Sequence, residues 1–155
     1  MATVYGVNST KVTAGGISNR LAKGTQDGRV KVMTDTYEAL ALASGSLIEM
    51  GAKLPVGAII LEVILNTDNL QNNTTIAVGD YEDADRYIDA VDCGAAEVTK
   101  KIGTTTGNID GRLYTIDETY TGTTVGSGSD RQITLTTGAG EATGTIKLAV
   151  IYSAD

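Results

Sequence analysis

The chain has 155 residues, 41% of them hydrophobic and 20% charged, with 19 glycines and one proline. That is the length of about one domain with enough apolar residues for a core, which excludes a disordered chain, and the single proline excludes a long rigid linker. The net charge of −7 is unevenly spread. Lys11, Arg20, Lys23, Asp27, Arg29 and Lys31 give the start of the chain five basic residues against one acidic, a net +4 that leaves −11 on the rest. An acidic body is a poor ligand for nucleic acid, because phosphate contacts need clustered Lys and Arg.

Residues 1–28 carry most of that basic charge and are rich in Gly, Ser, Thr and Asn. They are expected to form an extended arm that lies along an acidic neighbour or the acidic body of another copy, or else a solvated terminus. A folded domain is expected over residues 29–155. There is no apolar run of the roughly 20 residues a membrane-spanning helix needs, and the N-terminus lacks the apolar core of a signal peptide. The expectation is therefore a soluble protein made in the cytoplasm, without a membrane partner.

In chain order, Arg29 to Met33 alternates, with Val30 and Val32 on one face and Lys31 and Met33 on the other. Thr36 to Leu42 is ambiguous: Asp35 followed by Glu38 resembles a helix start, but the surroundings are strand-like, and strand or irregular structure is expected. Ser46 to Met50 reads as a strand, and Gly51 to Gly57, with Pro55, as a loop. Ala58 to Asn66 follows as a strand. Regular alternation there places Ile59, Leu61, Val63 and Leu65 on one face and Ile60 and Ile64 on the other, with Glu62 between them. A sandwich needs only one apolar face per strand, so the second face must be covered by another subunit or by the arm. Burial of one such aliphatic side chain contributes about 1.5 to 3 kcal/mol. Ile60, Glu62 and Ile64 are accordingly the expected subunit-interface residues, and Glu62 in a covered face would need a basic partner.

Thr74 to Val78 predicts a short strand with Ile76 and Val78 inward. Gly79 to Asp92 holds Asp80, Glu82, Asp83, Asp85, Asp89 and Asp92 against Arg86 alone. Such an oxygen-rich loop could hold calcium through Asp80, Glu82, Asp83 and Asp85, but the spacing lacks the central glycine and terminal glutamate of an EF-hand. A solvated loop or an interface with basic residues is preferred, and neither metal nor cofactor is expected. Tyr87, Ile88 and Val91 fit a helical turn or the start of a strand. Glu97 to Ile102 and Arg112 to Asp117 read as strands, and Thr119 to Asp130 as a Thr, Gly and Ser-rich loop. A closing hairpin places Ile133 and Leu135 inward on Arg131 to Thr136. On Thr145 to Ser153 it places Ile146, Leu148, Val150 and Tyr152 inward. About eight strands without a long helix predict an all-β, single-domain antiparallel β-sandwich, jelly-roll-like.

Catalysis is disfavoured by what the chain lacks. With no histidine there is no usual serine or cysteine triad and no imidazole metal site. Carboxylate pairs for glycoside hydrolysis could be drawn, but there is no Trp or Phe for a sugar platform, only seven tyrosines. Neither GSGSD nor TTGAGEATG has the lysine and strand-to-helix setting of a phosphate loop. Cys93, the only cysteine, has no base to activate it and is expected to be a small packed residue.

The stretch GSLIEMGAKLPVGAIILEVILNTDNLQNNTTIAVGDYEDADRY from Gly45 to Tyr87 joins a Pro-Gly loop, a long apolar strand, a polar turn, a short strand and an acidic loop. With the opening VYGVNSTK and the closing TIKLAVIYS, it resembles the small structural proteins of tailed-phage virions that decorate or cement the capsid. The resemblance implies a non-enzymatic virion protein on the capsid exterior, bridging major capsid proteins as a homo-oligomer, with a trimer favoured over a dimer. Lys11, Arg20 and Lys23 of the arm are then the expected capsid contacts. A head-fibre base, a tail-associated protein, and a carbohydrate-binding sandwich using Tyr81, Tyr87, Tyr114 and Tyr120 are the alternatives.

Overall fold

The computed structural model describes residues 29–102, 114–116 and 132–154. The proposed arm, with Lys11, Arg20 and Lys23, lies outside these residues, as does the whole of the 119–130 loop with Tyr120. The described residues form eight strands: β1 (Arg29–Leu42), β2 (Leu47–Met50), β3 (Ile59–Thr67), β4 (Thr75–Gly79), β5 (Ile88–Asp92), β6 (Val98–Lys101), β7 (Ile133–Gly138) and β8 (Ala142–Ala154). No helix occurs among them, so none is long and apolar enough to cross a membrane.

The strands form two four-stranded sheets in the orders β1-β8-β3-β6 and β2-β7-β4-β5. First pairs with last, second with seventh, third with sixth and fourth with fifth, all antiparallel. This nested pairing is a long hairpin rolled into two layers, the jelly-roll arrangement expected from eight short strands. The core lies between the sheets. Ile60, Val63 and Leu65 of β3 and Ile146, Leu148 and Val150 of β8 face Ile76 and Val78 of β4 and Ile133 and Leu135 of β7. Ile133 and Leu135 of β7 and Ile146, Leu148 and Val150 of β8 are buried at every second position, because a pleated strand turns successive side chains to opposite faces. Cys93 belongs to this core, and burial pushes its thiol up from the ordinary range.

Thr36 to Leu42 is strand, one of the two readings expected for it: it continues β1, paired residue for residue with β8 until a bulge between Ala39 and Leu42. Of the helical turn and the strand left open for Tyr87, Ile88 and Val91, the structure takes the strand: Ile88–Asp92 is β5, with Ile88 buried, Asp89 half-buried and Asp92 exposed. Contrary to expectation, β3 does not alternate regularly. Ile60 opposes Tyr152 and Glu62 opposes Ile151, so Leu61 is an extra residue in a β-bulge. A bulge resets the alternation. Ile60 therefore turns inward and is fully buried with Val63 and Leu65, while Ile64 faces the other way and is only half-buried. Ile60 is a core residue, closed off between the two sheets.

Candidate interaction surface

The outward face of the β1-β8-β3-β6 sheet is built by register. Residues directly opposite in a ladder share a face. Val32, Ile151 and Glu62 therefore form one row across β1, β8 and β3, and Thr34, Ala149, Ile64 and Lys101 form the next, extending into β6. Val30 and Val32 alternate with Lys31 and Met33 as the sequence predicts, but the valines are the ones turned to solvent, 66% and 62% exposed. Met33 packs against the core instead. The result is an apolar strip of Val30, Val32, Ile151, Ala149 and Ile64 bordered by Lys101, Lys147 and Glu62. Of the three interface residues expected from sequence, the structure brings Glu62 and Ile64 to this strip and removes Ile60.

Toward the far end of the same sheet the surface becomes polar, and its groups satisfy one another. The Thr99 hydroxyl donates to Asn66 Oδ1 at 2.7 Å, and the Thr145 backbone N–H donates to Asp68 Oδ2 at 3.2 Å. Hydrogen bonding from Thr145 holds the Asp68 carboxyl below its ordinary range. The shallow groove here, about 300 Å³ between Asn66, Asp68, Glu97 and Lys147, is a place where β3, β6 and β8 are tied together.

The acidic segment occupies the opposite sheet. Gly79 lets it turn back on itself: a Cβ there would sit 2.0 Å from the Asp83 carbonyl oxygen, so any side chain would force the loop open. The Asp80 side chain is wholly buried, and its Oδ1 accepts the backbone N–H groups of Glu82 and Asp83 at 3.0 and 2.9 Å. Its Oδ2 accepts Arg86 Nε at 2.7 Å and the Tyr87 hydroxyl at 3.4 Å. Burial pushes the Asp80 carboxyl up, against the opposing pull of the Asp83 N–H and the Arg86 guanidinium. Arg86 Nη2 donates to Glu82 at 3.0 Å. Asp85 is raised by a side-chain hydrogen bond with Asp83. The four carboxylates weighed as calcium ligands are thus turned to Arg86, to backbone N–H groups and to each other. Among the described residues no three acidic, Cys or His side chains converge as a metal cage.

Among the described residues, Tyr81, Tyr87 and Tyr114 are engaged in contacts within the sandwich. Tyr87 is fully buried, and its ring meets Tyr114 edge-on at 6.5 Å and 72°. The Arg86 guanidinium covers the Tyr114 ring at 4.1 Å from its centroid. Tyr81 donates its hydroxyl to Glu49, which pushes its own ionisation up to about 12. Arg86 is the residue that sequence reasoning missed. The available signal was a single base among six acids, which is the pattern of a paired counter-charge rather than of a solvated surface.

No protein-family model and no curated protein matches the sequence. Solved structures do. The chain is similar to one in the capsid asymmetric unit of cyanophage Pam1, at 24% identity and a TM-score of 0.63, covering 83% of this chain and 86% of that one. It is similar to a chain of the Ralstonia phage GP4 capsid at 21% identity and a TM-score of 0.56, with coverage of 83% and 86%. A chain from the acidic stable capsid of Helicobacter pylori bacteriophage KHP30 aligns at 14% identity and a TM-score of 0.50, covering 81% and 87%. The eight-stranded sandwich is therefore a fold found in the capsids of phages, the same class of particle to which the sequence resemblance points.

Proposed function

We propose that the protein is a structural component of a phage virion that binds the outside of the head and stabilises it by bridging neighbouring major capsid proteins. The observation that carries this reading is the likeness of more than four-fifths of the chain to chains of phage capsids. The apolar strip of the β1-β8-β3-β6 sheet supports it. Contiguous apolar residues on the outer face of a sheet mark an interaction surface when they are rimmed by polar groups, as exposed Val30 and Val32 with half-buried Ile151 and Ile64 are by Lys101, Lys147 and Glu62. The work done is mechanical. Surface buried across the joint between two capsid subunits adds to the free energy needed to separate them, and many copies repeat that increment over the shell.

In this reading Ile64 and Glu62 lie in contacts between copies, and the basic segment 1–28 reaches a neighbouring acidic surface through Lys11, Arg20 and Lys23. The assembly is a homo-oligomer, a trimer in preference to a dimer. Deleting residues 1–23 is expected to leave the circular dichroism and melting of the sandwich unchanged while weakening binding to undecorated capsids at least ten-fold. The loss should shrink as salt rises, because screening weakens charge contacts in the intact protein as well. Undiminished binding of the truncated protein would reject the arm's role.

A further inference from the structure

Among the described residues the edge strands are β1 and β6 in one sheet and β2 and β5 in the other. Three of these have only four or five residues, which limits the row of unpaired backbone groups that an edge presents. β1 has 14.

Alternate residues of an edge strand turn N–H and C=O toward its one neighbour, and the residues between them turn those groups outward. On β1 the phase is fixed from two directions. The Val63 carbonyl accepts the Ile102 N–H, so Val63 bonds toward β6, and Glu62 and Ile64 bond toward Ile151 and Ala149 of β8. Leu148, Val150 and Tyr152 of β8 are then the residues that bond β1, at Asp35, Met33 and Lys31. The Thr36 N–H agrees, since it donates to Asp35 Oδ1 at 2.7 Å. Val30, Val32 and Thr34 therefore hold their N–H and C=O groups outward, and their side chains are exposed. Asp35 ends this open row, because it occupies the Thr36 N–H and also accepts the Gly51 N–H at 2.6 Å.

We propose that the open edge is the docking site for a second copy of the chain, β1 against β1 in antiparallel pairing about a two-fold axis at Val32. Val30 then pairs with Thr34 of the second copy, Val32 with its Val32 and Thr34 with its Val30, each pair exchanging two N–H···O bonds. The same register sets Arg29 opposite Asp35 of the second copy and Asp35 opposite its Arg29. Opposite charges facing each other across a ladder favour that pairing. This match is what selects a second copy as the occupant: β1 is basic at Arg29 and Lys31 and acidic at Asp35 and Glu38, so it complements itself when reversed. Two four-stranded sheets become one, and their apolar strips meet at Val30 and Val32. The contacts proposed at Ile64 and Glu62 stay in place, so the pairing joins one oligomer to the next.

Cross-linking of single cysteine variants of the purified protein tests the pairing and its register. Native Cys93 is buried. A residue on the axis opposes itself at about 5.5 Å between Cα atoms, which a disulfide spans, so oxidised Val32→Cys should run as a covalent dimer on a non-reducing denaturing gel. Val30→Cys and Thr34→Cys should each cross-link about ten-fold more slowly alone, and as fast as Val32→Cys when mixed with each other. Adding Thr34→Pro to Val32→Cys removes an outward N–H that β8 does not use, so circular dichroism should stay native while cross-linking falls about ten-fold. Arg29→Glu should slow the Val32→Cys reaction several-fold at low salt and less at high salt. Val32→Cys that stays monomeric would overturn the proposal. So would Val30→Cys alone reacting as fast as Val32→Cys, which would mean unregistered association through the apolar strip. Cross-linking that appears only after residues 1–23 are deleted would mean that the chain's own segment occupies the edge, and would overturn it too. No capsid enters this experiment, so its result stands apart from whether the protein attaches to one.

Discussion

Ile60→Asp is expected to prevent folding, whereas Ile64→Asp, four residues further along the same strand, should leave a folded protein with its melting temperature within a few degrees of native. Ile60 is fully buried between the sheets. The substitution forfeits about 1.5 to 3 kcal/mol of apolar burial and places a carboxylate where water does not reach, at a further cost of several kcal/mol. Together these approach the about 5 to 15 kcal/mol that holds an ordinary domain together. Ile64 is half-buried on the outward strip, opposite Ala149 and Lys101, where a carboxylate keeps its hydration and gains a neighbouring ammonium. Far-ultraviolet circular dichroism and thermal melts of the two purified variants distinguish them. Two folded variants, or two unfolded ones, would refute the bulge at Leu61 that puts the residues on opposite faces.

The second large effect belongs to Arg86. Replacing it with alanine leaves Asp80, whose side chain is wholly buried, without its counter-charge. Breaking a buried pair from one side costs about 3 to 5 kcal/mol, more than the pair itself contributes, because the orphaned charge stays in place. A pH signature follows. Burial already holds the Asp80 carboxyl above its unfolded value, and loss of Arg86 raises it further. A group raised in the folded state contributes stability that is present at low pH and lost as pH rises through the folded value. The deficit of Arg86→Ala should therefore be largest near neutrality and shrink toward roughly pH 4 as Asp80 takes up a proton. Denaturant titrations of variant and native protein at the two pH values measure it. A deficit independent of pH would mean that Arg86 acts through packing on Tyr114 rather than through charge.

How much of this could be read beforehand depends on how local the cause is. The hairpin β7–β8 was legible because each strand carries an uninterrupted apolar alternation, and β4 was legible for the same reason. The jelly-roll class followed from strand number and spacing. The bulge in β3 was not legible, since every residue from Ala58 to Leu65 except Glu62 is apolar and the pattern fits either phase. Only pairing with β8 selects one. β5 was legible only as a helical turn or a strand, because Ile88 and Val91, the residues it packs on the core, stand three apart among carboxylates, a spacing that suits either. Arg86 read as a stray base in an acidic loop because its partners Asp80 and Tyr114 are brought together by both sheets, from positions 34 residues apart. On the outward strip, the sequence put Glu62 and Ile64 on a shared face but could not show that Val30, Val32 and Ile151 lie beside them, because those residues come from β1 and β8, at the two ends of the described chain.

Capsid attachment is tested most directly by titrating the purified protein onto phage heads that lack it and measuring bound copies per particle together with the temperature at which the heads rupture. Saturation at a copy number set by the capsid lattice, with a rise in rupture temperature that tracks occupancy, is the expected result. Absence of binding, or saturation at the few copies of a single vertex or tail without a change in rupture temperature, would contradict a role in bridging the shell.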